Sequence, residues 1–302
     1  MTMPNFLIIG AAKGGTTTLH NVLTQHPDVY MCPVKESGFF WAYGEEVRLQ
    51  GPGAERLQNR LIDDKDRYQK LFDGVTNEIA IGEASVRYLS TANTPEVIHG
   101  FIPGARLIAS LRQPADRAFS AFYHNLRDGI EPCSDFCEAI AQDQNGLRDH
   151  WVVCRYLNVG FYYQFLKRYF DIFDRNQMHI SLFDDLKEKP YELLSSLYKF
   201  LDVDDTFVPD LSHRHNVTGI IRNPLLRAAW ARSSKLRAVI RPLLKDRMRH
   251  NIFEWVIRFQ EKPLFSPELR LELTDYYYED INRLQDLLDR DLSHWLEPIQ
   301  QL

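Results

Sequence analysis

"FLIIGAAKGGTTTLHNVL", beginning at Phe6, constrains the fold more than any other stretch of the chain. "NFLIIG" is a short continuous apolar run, the pattern of a strand buried on both faces. It breaks into glycines, and "TTTLHNVLTQHP" follows as a helix with Leu19, Val22 and Leu23 on one face and Pro27 just after it. Strand, glycine turn and helix in that order aim backbone N–H groups at a helix N-terminus, an anion cradle that needs no side chains. A common ATP-binding loop reads G-x-x-x-x-G-K-[ST]. Gly10 and Gly15 have that spacing and Thr17 fills the hydroxyl position, but Thr16 stands where lysine would reach the outer phosphates. The only lysine, Lys13, lies inside the loop.

The remaining segments alternate strand and helix. "EIAIGEAS" and "ARLIASL" read as buried strands, and "PADRAFSAFYHNLRDG" as a helix with Pro114 in its first turn and Gly129 at its end. "QMHISLFDDL" reads as a further strand and "PYELLSSLYKFLDV" as the helix after it. This order predicts a P-loop-like, three-layer α/β fold, a central and mostly parallel sheet flanked by helices. "SPELRLELTDYYYEDINRLQDLL" reads as one long closing helix, with Ser266 as its cap and Pro267 behind it.

Formal charge is −5, which argues against a general nucleic-acid binder, so an anionic ligand needs local positive charge. Arg222 to Arg249 supplies one such region, with nine Lys or Arg against the single acid Asp246. Leu236, Val239, Ile240, Leu243 and Leu244 recur there at helical spacing. The segment reads as an amphipathic helix with a basic outer face, or as a rim over an anion site or a surface for anionic lipid or acceptor. Cys32, Cys133, Cys137 and Cys154 form no disulfide or zinc pattern and read as reduced thiols. "MTMPNFLIIG" has no basic n-region, and no apolar run nears the ~20 residues of a membrane span, so a cytoplasmic protein is expected.

Glu83, Asp184 and Asp185 are the acids at strand ends, where a magnesium-holding partner of an NTPase loop is sought, and none replaces the missing lysine. A sulfonate carries a single negative charge, and one lysine with backbone N–H groups serves its transfer without a metal. "RLIASLRQPADRAFSAFYHN" then places Arg112 just past a buried strand and Ser120 eight residues on, inside the next helix. A guanidinium and a hydroxyl beside a helix N-terminus suit a second phosphate.

Together these motifs resemble the sulfotransferases that use 3′-phosphoadenosine-5′-phosphosulfate (PAPS). "IIGAAKGGTTTL" is similar to their 5′-phosphosulfate loop and "LIASLRQPADRAFSAFYHN" to their 3′-phosphate motif. "PVKESGFF" resembles the segment that carries the catalytic acid in the glycosaminoglycan branch, and "IGEASVRYL" the second-strand motif. "HNVTGIIRNP" resembles the late loop over the cofactor, and the C-terminal stretch resembles bacterial members. The resemblance implies one sulfotransferase domain over residues 1–302. Its cofactor-binding core would span 5–130, a lid loop and basic helical segment 205–265, and the C-terminal helix 266–302.

It also implies roles. Lys13, Gly14, Gly15, Thr16 and Thr17 would hold the 5′-phosphosulfate, with Lys13 stabilising the departing oxygen. Arg112 and Ser120 would grip the 3′-phosphate, and Gly219 and Arg222 would close on the nucleotide. Glu36 falls where the glycosaminoglycan enzymes have their base; His20, His26 and His124 compete for that role, His124 lying four residues after Ser120 on one helix face. Two positions depart from the pattern. Ala84 follows Glu83 where lysine is frequent, leaving Lys35 or Arg87 to supply that charge, and Gln113 replaces the Asp of an R-D-P turn.

The expected activity is metal-independent transfer of a sulfonate from PAPS to an acceptor hydroxyl by in-line displacement. The acceptor would be a carbohydrate, a lipid or a small natural product, met by a pocket of Phe39, Phe40, Trp41 and Tyr43. No nucleic acid and no membrane span are expected, and the protein would be a monomer or homodimer. A P-loop ATP-dependent kinase and a non-catalytic nucleotide-binding module are the alternatives. His213 and His215 in "SHRHN" have the look of a metal pair without a third ligand.

Overall fold

The apolar run after Asn5 forms β1 (Phe6–Gly10), with every residue buried. Phe6 and Ile8 face one side and pack with Leu19, Val22 and Leu23, while Leu7 and Ile9 face the other and pack with Phe39, Phe40 and Phe122. Burying four such side chains contributes roughly 6–12 kcal/mol before chain entropy is subtracted. That is why this strand takes the middle of the sheet. β2 (Val29–Met31), β3 (Ala80–Ala84), β4 (Arg106–Leu111) and β5 (Met178–Leu182) complete it in the order β2-β3-β1-β4-β5. Every neighbouring pair is parallel, so all five strands end at the same edge.

This computed structural model describes residues 2–45, 47–212, 220–221, 260–261 and 264–298. His213, His215, Gly219, Arg222 and the basic 222–249 segment lie outside the described residues, as does nearly all of the expected lid. Within that region Ile220–Ile221 pairs antiparallel with Gln260–Glu261. Among the described residues no helix is long and apolar enough to cross a membrane. All four cysteines are free.

The chain leaves β1 toward β2 on one side, then crosses β1 between β3 and β4. Connections therefore diverge around the C-terminal ends of β1 and β4, the position where open α/β sheets form a ligand crevice. The loop before helix Thr16–Leu23 and the start of helix Pro114–Arg127 both open there.

Helix Pro114–Arg127 is fixed at its first turn by Gln113, whose Oε1 accepts the Asp116 N–H at 2.8 Å, a cap worth ~1 kcal/mol. The same side chain donates through Nε2 to Thr274 Oγ1 at 2.9 Å and to the Trp295 carbonyl at 3.3 Å. Glutamine, where the resemblance led one to expect aspartate, thus caps the helix and also ties it to the C-terminal segment. Arg270 reinforces the tie, its Nε 3.1 Å from Asp116 Oδ1.

Two expected elements divide. The strand over "QMHISLFDDL" stops at Leu182, and Phe183–Glu188 is a short helix. Asp185 accepts the Leu182 N–H at 2.8 Å, and two acids in the first turn suit a helix start better than a strand. The closing helix is two, Pro267–Tyr276 and Tyr278–Leu288, followed by a 3-10 turn at Ser293–Trp295. They meet at the fully buried Tyr277, whose hydroxyl donates to the Leu157 carbonyl at 2.8 Å.

Candidate active site

The glycines come first, because they set how close the loop lies to the sheet. A Cβ on Gly14 would stand 1.9 Å from the Ser110 carbonyl oxygen, and Gly15 has φ +94°. Neither position accepts a side chain without moving backbone. Ser110 Oγ donates to the Gly14 carbonyl at 2.6 Å, and the Ala11 N–H donates to the Ser110 carbonyl at 2.9 Å. The turn after β1 is therefore bolted to the end of β4. Thr16 is buried at the start of the helix, and Thr17 Oγ1 accepts from Lys35 Nζ at 2.6 Å.

Lys13 lies half-buried at the mouth of this turn. Burial, then Arg127, Arg112 and Lys35, pull its ammonium down to about 8, while Asp128 opposes them. Those cations arrive from separate elements, so the loop mouth is strongly positive in a chain that is acidic overall. Arg112 follows β4 directly. Its guanidinium lies over the Phe183 ring at 4.8 Å, its carbonyl accepts from Tyr162 at 2.9 Å, and no ion pair holds it among the described residues. Ser120 is buried one helical stretch further on and makes no side-chain hydrogen bond among those residues. Neither side chain donates a hydrogen bond or makes an ion pair among the described residues.

Glu36 approaches from the other side. Its φ is +62°, its N–H donates to the Ala84 carbonyl at 2.9 Å, and its Oε2 accepts the Val86 N–H at 3.1 Å. Two bonds to the turn after β3 hold it in a backbone conformation that glutamate rarely adopts. Burial raises its proton affinity, opposed first by Lys35 and also by the Val86 N–H, Arg87 and Arg60. Arg87 is turned toward structure, donating through Nη2 to the Val152 carbonyl at 2.6 Å.

The competing histidines separate clearly. His26 is core, bonded to the Asp204 carbonyl at 2.9 Å and in tilted ring contact with Tyr198 and Phe207. His20 contacts the Cys32 carbonyl at 3.3 Å, and burial lowers its pKa. His124 is the one beside Lys13, and burial, then that ammonium, lower its pKa to about 4.

The aromatic pocket forms from three of the four expected residues. Phe39 is fully buried in the core, stacking on Tyr68 at 4.1 Å and 8°, and it anchors the short helix Phe39–Ala42. Phe40, Trp41 and Tyr43 line a cavity of about 270 Å³ that Thr91, Asn93 and Val97 also line.

Arg127 is the group that local motifs did not point to. It follows Ser120 and His124 at i+7 and i+3 on one helix, and that spacing was the available signal. Behind Glu36 lies Glu83, fully buried, with Oε1 accepting from Ser85 Oγ at 2.6 Å and Oε2 without a partner among the described residues. Burial pushes its carboxyl up to about 7.

Comparison with known proteins gives the family and the fold. Residues 4–207 match the model of the family described as "Sulfotransferase family". The chain is 30% identical over 204 residues to bifunctional heparan sulfate N-deacetylase/N-sulfotransferase 1 of Caenorhabditis elegans, covering 67% of this chain and 22% of that one. It is 27% identical over 254 residues to human carbohydrate sulfotransferase 15, covering 67% and 44%. It thus spans less than half the length of these curated relatives. Among solved structures, a sulfotransferase from Alicyclobacillus acidocaldarius is 35% identical, with a TM-score of 0.77, covering 98% of this chain and 100% of that one.

Proposed function

This chain belongs to the sulfotransferase family, and on that premise we propose that it moves a sulfonate group from PAPS to an acceptor hydroxyl. The observation that carries the reading is the pair of separate anion anchors. Lys13 stands in a glycine turn, Arg112 follows the next strand with Ser120 in the helix after it, and Glu36 is held at the end of β3, the strand on the other side of β1. One anchor fits a 5′-phosphosulfate and the other a 3′-phosphate. When bound, PAPS would supply a sulfonate for in-line displacement, with the 3′,5′-bisphosphate leaving.

The residues then divide the work. Backbone N–H groups of Gly15 and Thr16 would cradle the 5′ end, that of Gly14 being spent on the Ala11 carbonyl at 2.9 Å, with Thr17 held by Lys35. Lys13 would neutralise charge growing on the departing oxygen, and its lowered proton affinity still leaves it largely charged at pH 7. Glu36 would take the proton of the acceptor hydroxyl; its Oε1 makes no hydrogen bond among the described residues, and its raised affinity suits a base. Gly219 and Arg222 keep the role of closing on the nucleotide. The acceptor is a glycan, a lipid or a small natural product, reached past Trp41 and Tyr43.

Thermal unfolding tests this reading. The 3′,5′-bisphosphate at a hundredfold excess over its dissociation constant stabilises by ~2.7 kcal/mol, about 5 °C for a chain of this size. The shift is expected without added metal and is expected to shrink in Arg112→Ala. Adenosine-5′-phosphosulfate, which lacks the 3′-phosphate, should lose nothing in that variant. A shift that requires magnesium and prefers ATP would sink the proposal.

A further inference from the structure

We infer that Arg127 is a positioning residue that locks His124 in the Nε2–H tautomer, making the ring a neutral hydrogen-bond donor at the Lys13 mouth and not a base. Arg127 Nη2 lies 2.7 Å from His124 Nδ1. A guanidinium has only N–H donors, so Nδ1 must be the acceptor and the ring proton must sit on Nε2. Asp128 fixes the guanidinium itself, its Oδ1 accepting from Arg127 Nε at 3.0 Å. The same carboxylate has its other oxygen 4.0 Å from His124 Nδ1. It is the group that would claim a protonated Nδ1 if Arg127 were absent.

The charges around the ring act together. Lys13 from the glycine loop, Arg127 from the same helix and Arg56 from helix Ala54–Gln58 all disfavour imidazolium, and Asp128 alone opposes them. Burial acts in the same direction as the cations. The ring therefore stays neutral through the working range, and the bond from Arg127 decides which nitrogen is bare. With Nδ1 occupied and Nε2 protonated, His124 has no lone pair to accept a proton, but it has an N–H to offer an anionic oxygen. That use for a sulfonate oxygen rests on the sulfonyl-transfer reading, whereas the lock itself stands on geometry alone.

Nitrogen-15 NMR of the ligand-free protein separates the two. The His124 ring, assigned from the signal lost in His124→Asn, is expected as the neutral Nε2–H tautomer at pH 7. In Arg127→Gln the proton should move to Nδ1 beside Asp128, and the ring should begin to titrate at roughly pH 5–6.5. Arg127→Lys, which keeps a cationic donor, should restore the Nε2–H form at least in part. A wild-type ring that is charged or Nδ1–H at pH 7, or one whose tautomer ignores Arg127→Gln, overturns the inference. If the NMR pattern appears while PAPS gives no transfer, the lock holds and the functional reading is the part that fails. With transfer present, Arg127→Gln should add a second acid limb to the pH profile beside the one that Glu36 gives the wild type.

Discussion

Replacing Glu83 by glutamine should stabilise the protein far more at pH 8 than at pH 5. Glu83 is fully buried in β3, with one oxygen bonded to Ser85 and the other without a partner among the described residues. Burial raises its pKa from the ordinary 4.5 to about 7. Below pH 4.5 the carboxyl is protonated in both the folded and the unfolded chain and costs nothing. Between 4.5 and 7 the unfolded chain ionises while the folded one retains its proton, so stability falls as pH rises, by ~1.4 kcal/mol per unit. Above 7 both forms are ionised and the loss is complete, at ~3 kcal/mol. Glutamine has no charge to bury, and it retains an oxygen for the Ser85 bond. Urea unfolding of wild type and Glu83→Gln at pH 5 and pH 8 isolates the effect, because every other titrating group is shared. The variant's advantage should grow by about 2–3 kcal/mol between the two pH values. An advantage independent of pH would mean that Glu83 is ionised and solvated in the native state, and the reasoning would fail.

Two further outcomes test other parts of the molecule. Glu36→Gln should retain bisphosphate affinity, measured by calorimetry, and lose transfer by ~10²–10⁴, measured as kcat; normal turnover would move the base elsewhere. Arg148→Ala should destabilise by about 3–5 kcal/mol in urea unfolding, because it strands the carboxylate of Glu131, which sits 2.8 Å away with neither side chain exposed. A loss under 1 kcal/mol would mean that water reaches Glu131.

The sheet and its loop were legible because each rests on a local pattern. Continuous apolar runs can only be strands covered on both faces, and a glycine turn before a helix leaves few other readings. Lys13 and Arg112 come within each other's field because parallel strands end at one edge, which strand order alone implies. Other features depend on what packs against them. "GFF" reads equally as a pocket wall or a core plug, and Tyr68, distant in sequence, makes a plug of Phe39 by stacking on it, while Phe40 lines the cavity. Gln113 looks like a neutral replacement until Thr274 and Trp295 arrive at its amide. Arg127 sits in a run that reads as an ordinary helix end, and its bond to His124 exists only in three dimensions.

The bolt between the loop and β4 has a consequence for selectivity. Because Ser110 joins the Gly14 turn through both its backbone and its hydroxyl, the turn after β1 and the end of β4 are held at a fixed spacing. With the donor proposed above, they would serve as the fixed jaws of a caliper. A nucleotide would then be accepted for the span between its two charged ends, and moving a phosphate from the 3′ to the 2′ carbon, or stacking both in one chain, would present the right charges at the wrong separation.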